Sequence, residues 1–194
     1  MNTKIWWSVL LMALLVLQGC SLKPQNLRLD PQQIKVQDSQ VGSSTTVGLK
    51  VEDVRPTKKL GEVGDPDRKM VDVSVEEDPS PKIYDRVKEA LTRMGFTVVP
   101  YSDGMDPSLK LEIRKLELKS EKTPFTFETE LRAEVAAHVG KTNGYYDRQF
   151  NVRTRRDGAA PPFEKDSTAL VNTAISQALE DLLADEQLLG TLTN

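Results

Sequence analysis

The chain has 194 residues, of which 38% are hydrophobic and 28% charged, with a formal net charge of -3. That mildly acidic balance lacks the basic footprint of a nucleic-acid binder, and the length suits one domain with a tail. The single cysteine, Cys20, and the single histidine, His138, exclude a disulfide framework, a zinc-cysteine cluster and a zinc site with several nitrogen ligands. Residues 1–19 read MNTKIWWSVLLMALLVLQG, with Lys4 as a short positive start and an apolar run of 13 residues from Ile5 to Leu17. A bilayer span needs roughly 20 residues. A short apolar core behind a positive start reads as a secretory signal that is cleaved and takes no part in the fold. The alternative, a membrane-anchoring helix, has a short run and no basic stop-transfer cluster after it.

The signal closes on Leu17-Gln18-Gly19-Cys20, which resembles a bacterial lipobox, with Gln18 a less typical residue at its position. The resemblance implies cleavage just before Cys20, a diacylglycerol on its sulfur and a third acyl chain, of the palmitate type, on its new amino group. One acyl chain binds a membrane only marginally, at about 0.8 kcal/mol per buried CH2, whereas several chains hold permanently. The alternative is a free thiol or an intermolecular disulfide. Ser21 follows the cysteine, where an aspartate would imply inner-membrane retention. The implied location is therefore the outer membrane, lipid-anchored, on the periplasmic side.

Residues 20–45 are polar and turn-rich, with Pro24, Pro31 and Gly42-Ser43-Ser44. They read as a flexible tether that spans roughly 25–30 Å and lifts the domain from the headgroups. The alternative is that Leu27, Leu29, Ile34 and Val36 pack on the domain or pair at a sheet edge. The domain itself is expected over 46–194. Val47, Leu49 and Val51 alternate as a half-buried strand. A loop follows with Gly61, Gly64, Asp65, Pro66 and Asp67, then a short strand with Val71, Val73 and Val75. Ser80 and Pro81 open a helix whose apolar face is Ile83, Val87, Ala90, Leu91 and Met94, and Gly95-Phe96 closes it. The next strand is FTVVPY.

In SLKLEIRKLELKSE, Leu109, Leu111 and Ile113 share a face, but Leu116 and Leu118 fall on the opposite parity. A β-bulge at Arg114-Lys115, or a kink between two short strands, resets the core side. The longest alternation places Phe125, Phe127, Leu131, Ala133, Val135, Ala137 and Val139 on one face, with Glu128, Glu130, Arg132, Glu134 and His138 on the other. Asn143-Gly144 turns the chain into a return strand with Tyr146, Phe150 and Val152 inward. A final helix begins near Asp166 or Ser167 and carries Val171, Ile175, Ala178, Leu179 and Leu182. The expected fold is α+β, an antiparallel-rich sheet of about five strands with two helices on one face.

No catalytic set stands out, and the chain is expected not to be an enzyme. His138 falls among glutamates on the solvated face. The acidic loops around Asp65-Pro66-Asp67 and Asp103-Gly104-Met105-Asp106 read as turns, because neither fits a calcium loop. No phosphate-loop or dinucleotide motif appears, so no cofactor is expected. The basic residues Arg153, Arg155 and Arg156 either pair with the glutamate row across the sheet or, with exposed Tyr145, contact a peptidoglycan glycan or a lipopolysaccharide headgroup. The lipobox, VEDVRPTKKLGEVG, VKEALTRMGFTVVP, SLKLEIRKLEL, FTFETELRAEVAAHV and NTAISQALEDLL together resemble the YajG-like family of uncharacterised Gram-negative outer-membrane lipoproteins. That resemblance implies a membrane contact through the lipid anchor and a binding or accessory role toward another envelope component.

Overall fold

The computed structural model describes residues 22–142 and 144–193. The signal, Cys20 and Asn143 lie outside the described residues. Among the described residues, eight strands and three helices follow one another as β1 (Gln25–Leu27), β2 (Thr46–Asp53), β3 (Lys59–Asp65), β4 (Lys69–Val75), α1 (Ser80–Arg93), β5 (Thr97–Pro100), β6 (Ser108–Lys122), β7 (Phe127–Lys141), β8 (Gly144–Gly158), α2 (Glu164–Leu183) and α3 (Glu186–Thr193). All eight strands belong to one sheet.

The sheet is larger and more mixed than the expected five antiparallel-rich strands. β6, β7 and β8 form an antiparallel meander of long strands. β2 and β3 both lie parallel to β6 on its other edge, one after the other. β5 flanks β2 in parallel, β4 flanks β3 antiparallel, and β1 adds in parallel to β4. Two strands escaped the sequence pattern for identifiable reasons. β1 is only 3 residues long. β3 contains Gly61, where a Cβ would lie 1.9 Å from the Leu118 carbonyl oxygen of the neighbouring strand. The close approach needs glycine, and glycine erases the apolar alternation that reveals a strand.

The expected bulge is present. Ile113 pairs with Val135 and Lys115 with Glu134, which leaves Arg114 as the extra residue. Leu109, Leu111, Ile113, Leu116 and Leu118 are consequently all buried on one face. On that face they meet Leu131, Ala133, Val135, Ala137 and Val139 of β7 and the apolar stripes of the helices in a single cluster. Each such large aliphatic chain contributes about 1.5–3 kcal/mol when taken from water.

Helix α1 ends as its sequence requires. Gly95 adopts φ +92° and the Phe96 N–H donates to the Leu91 carbonyl at 3.1 Å, the six-to-one bond of a Schellman motif. Its start differs from expectation. Ser80 lies inside the helix, and the Asp78 carboxylate accepts the Ser80 N–H at 2.9 Å. Helix α2 starts two residues early, at Glu164, and the Asp166 carboxylate accepts the Phe163 N–H at 3.2 Å. Phe125 is not inward on β7. It sits 92% exposed in the β6–β7 turn, which the Thr123 N–H closes on the Thr126 carbonyl.

The largest departure concerns the segment read as a flexible tether. Leu27, Leu29 and Ile34 are buried, and Val36 packs against the core. The chain from Arg28 to Gly42 runs as a strap between α1 and α2. On the α1 side, Arg86 donates to the Pro31 carbonyl at 2.9 Å, Gln33 to Glu89 at 2.7 Å, and the Gly42 N–H to the Met94 carbonyl at 3.0 Å. On the α2 side, the Asp30 N–H donates to Asn172 at 3.1 Å and the Lys35 N–H to Glu180 at 3.0 Å. The proline-rich composition suits an extended strap as well as a loose coil, because proline limits helix without preventing packing.

Truncating Ile34, 1% exposed in this strap, is expected to cost about 2–4 kcal/mol. Ile34→Ala should lower the urea midpoint with no change of slope. A tether free of the domain would leave the midpoint unmoved.

Candidate functional site

The sheet face opposite the helices carries a continuous ladder of charge. Glu52 is held by Lys50 at 2.7 Å and Lys110 at 3.0 Å. Glu112 accepts from Lys110 and Arg114, both at 3.0 Å. Farther along, Lys115 meets Glu117 at 3.0 Å, Arg132 meets Glu130 at 2.7 Å, and Arg155 meets Glu128 at 2.6 Å and Glu130 at 3.2 Å. Lys110–Glu52, Arg155–Glu128 and Arg155–Glu130 join neighbouring strands, and the other pairs join residues two apart on one strand, which the period of two already places on the same face.

The ladder shifts the groups that form it. Burial pushes the Glu112 carboxyl up, but the Lys110 ammonium and the Arg114 guanidinium outweigh it and hold the group down at about 2. Lys50 and then Lys110 hold Glu52 below the usual carboxylate range. Arg132 and then Arg155 do the same for Glu130.

His138 lies within this ladder on the face expected for it. Its Nδ1 is 3.1 Å from Asp147 and its Nε2 is 3.4 Å from Glu112. Arg114, the bulged residue, approaches the same Nε2 at 3.2 Å. Tyr145, 72% exposed, donates its hydroxyl to Asp147 at 2.7 Å. The imidazole therefore bridges two carboxylates across three strands. Among the described residues no group of His, Asp and Glu side chains is arranged to hold a metal ion.

The three arginines of the basic run do not converge. Arg153 and Arg155 face the charged side, where Glu130 stands 3.5 Å from the first and Glu128 2.6 Å from the second. Arg156 has the opposite parity and reaches Asp166 in the first turn of α2 at 3.1 Å. Arg153 and Arg155 thus stand in the paired rows that the sequence offered as one of two readings, and Arg156 is paired outside them.

A second feature had no signal in the sequence. At the end of the sheet where β3 turns into β4, a cavity of about 510 Å³ opens between Leu22, Phe127, Ala159, Ala160, Pro161 and Phe163, with Arg68, Lys69 and Lys122 at its rim. Lys122 is tied to Asp65 at 3.0 Å and Asp67 at 2.8 Å. Its walls come from four separate segments, which only the tertiary fold brings together.

The fold defines a class, a single mixed sheet covered on one face by helices and a strap, with a charge-paired face opposite. The family model described as uncharacterized lipoprotein, the YajG-like group, matches residues 32–193, and the chain belongs to that family. No curated protein matches it. Among solved structures it is similar to a Xanthomonas campestris protein of the DUF330 family, at 18% identity and TM-score 0.44 over 88% of this chain and 93% of that one. It is also similar to a proposed neuraminyllactose-binding hemagglutinin homolog from Helicobacter pylori, at 8% identity and TM-score 0.45 over 82% of this chain and 96% of that one.

Because the Glu112 carboxyl lies below its ordinary 4.5 in the folded chain, the stability it contributes is present above that pH and is lost as pH falls toward 2. Glu112→Gln should destabilise the domain by about 1–2 kcal/mol at pH 7 after solvent screening. The gap to wild type should close between pH 4.5 and 2. Urea midpoints across that range provide the check, and a pH-independent gap would contradict the assignment.

Proposed function

We propose that this lipoprotein is an envelope binding module. Cys20 anchors it to the outer membrane by its acyl chains, it faces the periplasm, and it holds another envelope component by its main chain rather than by catalysis. The observation that carries this reading is the outer edge of β8. This 15-residue strand pairs with β7 and, among the described residues, with nothing on its other side. A strand edge that long is a template for a further strand.

The register shows which residues present the open groups. In β2, Leu49 on the apolar face gives its carbonyl to Tyr101, beyond β5, while Gly48 on the charged face donates to Pro107, on the β6 side. Backbone groups alternate with the side chains, so this rule carries across the antiparallel meander. On β8 the apolar-face residues Tyr146, Phe150 and Val152 bond to β7. Asp147, Gln149, Asn151, Arg153 and Arg155 direct their N–H and C=O groups outward. Their polar side chains discourage association of the edge with unselected strands, as solvent-facing charges on natural edges do, and leave the main chain free for a chosen one.

Two experiments test the reading. Cys20→Ser should move the protein from the detergent phase to the aqueous phase or leave it as precursor, and unaltered membrane extraction would contradict the anchor. Asn151→Pro removes an N–H that points away from β7, so the fold should persist by circular dichroism, whereas Phe150→Pro breaks the ladder and should unfold it. A photo-crosslinker at Gln149 in cells should give a discrete adduct that Asn151→Pro abolishes. An adduct that survives this substitution, or none at all, would sink the edge assignment.

A further inference from the structure

Three observations converge on the pole that holds the cavity. The first is the way the N-terminus is tied there. The Lys69 ammonium donates to the Leu22 carbonyl at 2.9 Å, Gln25 pairs with Val73, and the Gln25 side chain donates to the Pro162 carbonyl at 2.8 Å. The second is covalent. Cys20 is two residues from Leu22, and two residues of fully extended chain reach at most about 7 Å. The third is the surface itself. Phe125, 92% exposed, stands at the tip of the β6–β7 turn, and Phe163, 51% exposed, stands in the loop before α2. These are the two most exposed phenylalanines among the described residues, and both lie at this end. The exposed Lys23 and Arg68 and the small residues Ala159 and Ala160 accompany them.

We infer that this pole rests on the bilayer that carries the anchor, with the Phe125 and Phe163 rings in the headgroup–acyl boundary. The inference rests on the acylation of Cys20. Its occupant is a lipid surface because the acyl chains begin within about 7 Å of the cavity wall. That distance leaves no room for a protein layer between the domain and the membrane. A phenylalanine ring is apolar enough to gain from leaving water for that boundary, and it adds attachment area to an anchor that already places it there. The exposed Lys23 and Arg68, the latter 3.9 Å from Asp65, reach outward far enough to lie against lipid phosphates. The domain then has a fixed orientation. The pole is down, the β8 strand rises from the membrane at its Gly158 end toward Gly144, and the charged face and open edge stand upright in the periplasm.

The test uses a property of the sequence. Both tryptophans, Trp6 and Trp7, lie in the signal, so the mature chain has none. Phe125→Trp and Phe163→Trp each introduce a single reporter at the pole, and Tyr145→Trp introduces one at the opposite end of β8. Each acylated variant is reconstituted in phosphatidylethanolamine–phosphatidylglycerol vesicles containing a lipid brominated near the top of its acyl chain. Mass spectrometry first establishes the acyl groups on Cys20. F125W and F163W should shift to shorter emission wavelength and lose intensity to the bromolipid, while Y145W keeps its aqueous spectrum. If all three acylated variants emit alike and unquenched, the domain does not rest on the bilayer by this pole, and the anchor reading survives. If no acyl mass is found on Cys20, the anchor reading fails and this inference falls with it.

Discussion

The architecture turns on one strand that must satisfy unequal neighbours. β6 gives one edge to β7 over its whole length and shares the other between β2 and β3. β2 ends its pairing at Ile113 and β3 begins at Leu118, and the extra residue Arg114 falls in the gap between them. A bulge at that point has two effects at once. It increases the local twist, so that β2 and β3 need not be collinear. It also shifts the side-chain parity, so that Leu116 and Leu118 rejoin the face of Leu109, Leu111 and Ile113. Without the shift, the second half of β6 would turn its leucines to the charged side and its lysines into the core. The bulged side chain is itself used, because Arg114 holds Glu112 and approaches His138.

The helices depend on a second element, the strap. α1 lies over β2 and β5, and α2 lies over β7 and β8. Arg28 to Gly42 fills the space between them with Leu29 and Ile34 and satisfies polar groups of both. A segment of this kind joins the two halves of the helical layer. It also draws Leu22 and β1 to one pole of the sheet, two residues after Cys20 in the chain.

The parts of the fold most legible in the sequence were those with strong local periodicity. The long strands β6 and β7, the inward row of β8 and the apolar stripes of α1 and α2 could all be read from spacing, and so could the parity fault at Arg114. β3 could not, and for β1 and the strap the spacing gave only the packing or edge pairing of Leu27, Leu29, Ile34 and Val36, as the alternative to a free tether. Three paired residues make too short a pattern to read, Gly61 and Gly64 remove the alternation from β3, and an irregular strap has no period at all. Phe125 went astray for a related reason. Its parity matched β7, but the Thr123–Thr126 turn ends the strand before reaching it.

The candidate sites divide in the same way. The charge ladder was foreseeable, since opposite charges two residues apart share a strand face and the glutamate row of β7 meets the arginines of β8 once these strands pair. That Arg156 leaves the row for Asp166 follows from parity, but its partner follows only from where α2 docks. What the sequence by itself determined was local: the strand and helix periods and the register fault. These depend on neighbours a few residues apart. The cavity, the strap, the open edge of β8 and the pole that gathers Leu22, Phe125 and Phe163 join residues up to 145 positions apart in the chain. Only the burial of a shared apolar face, which sets where distant segments lie, could decide them.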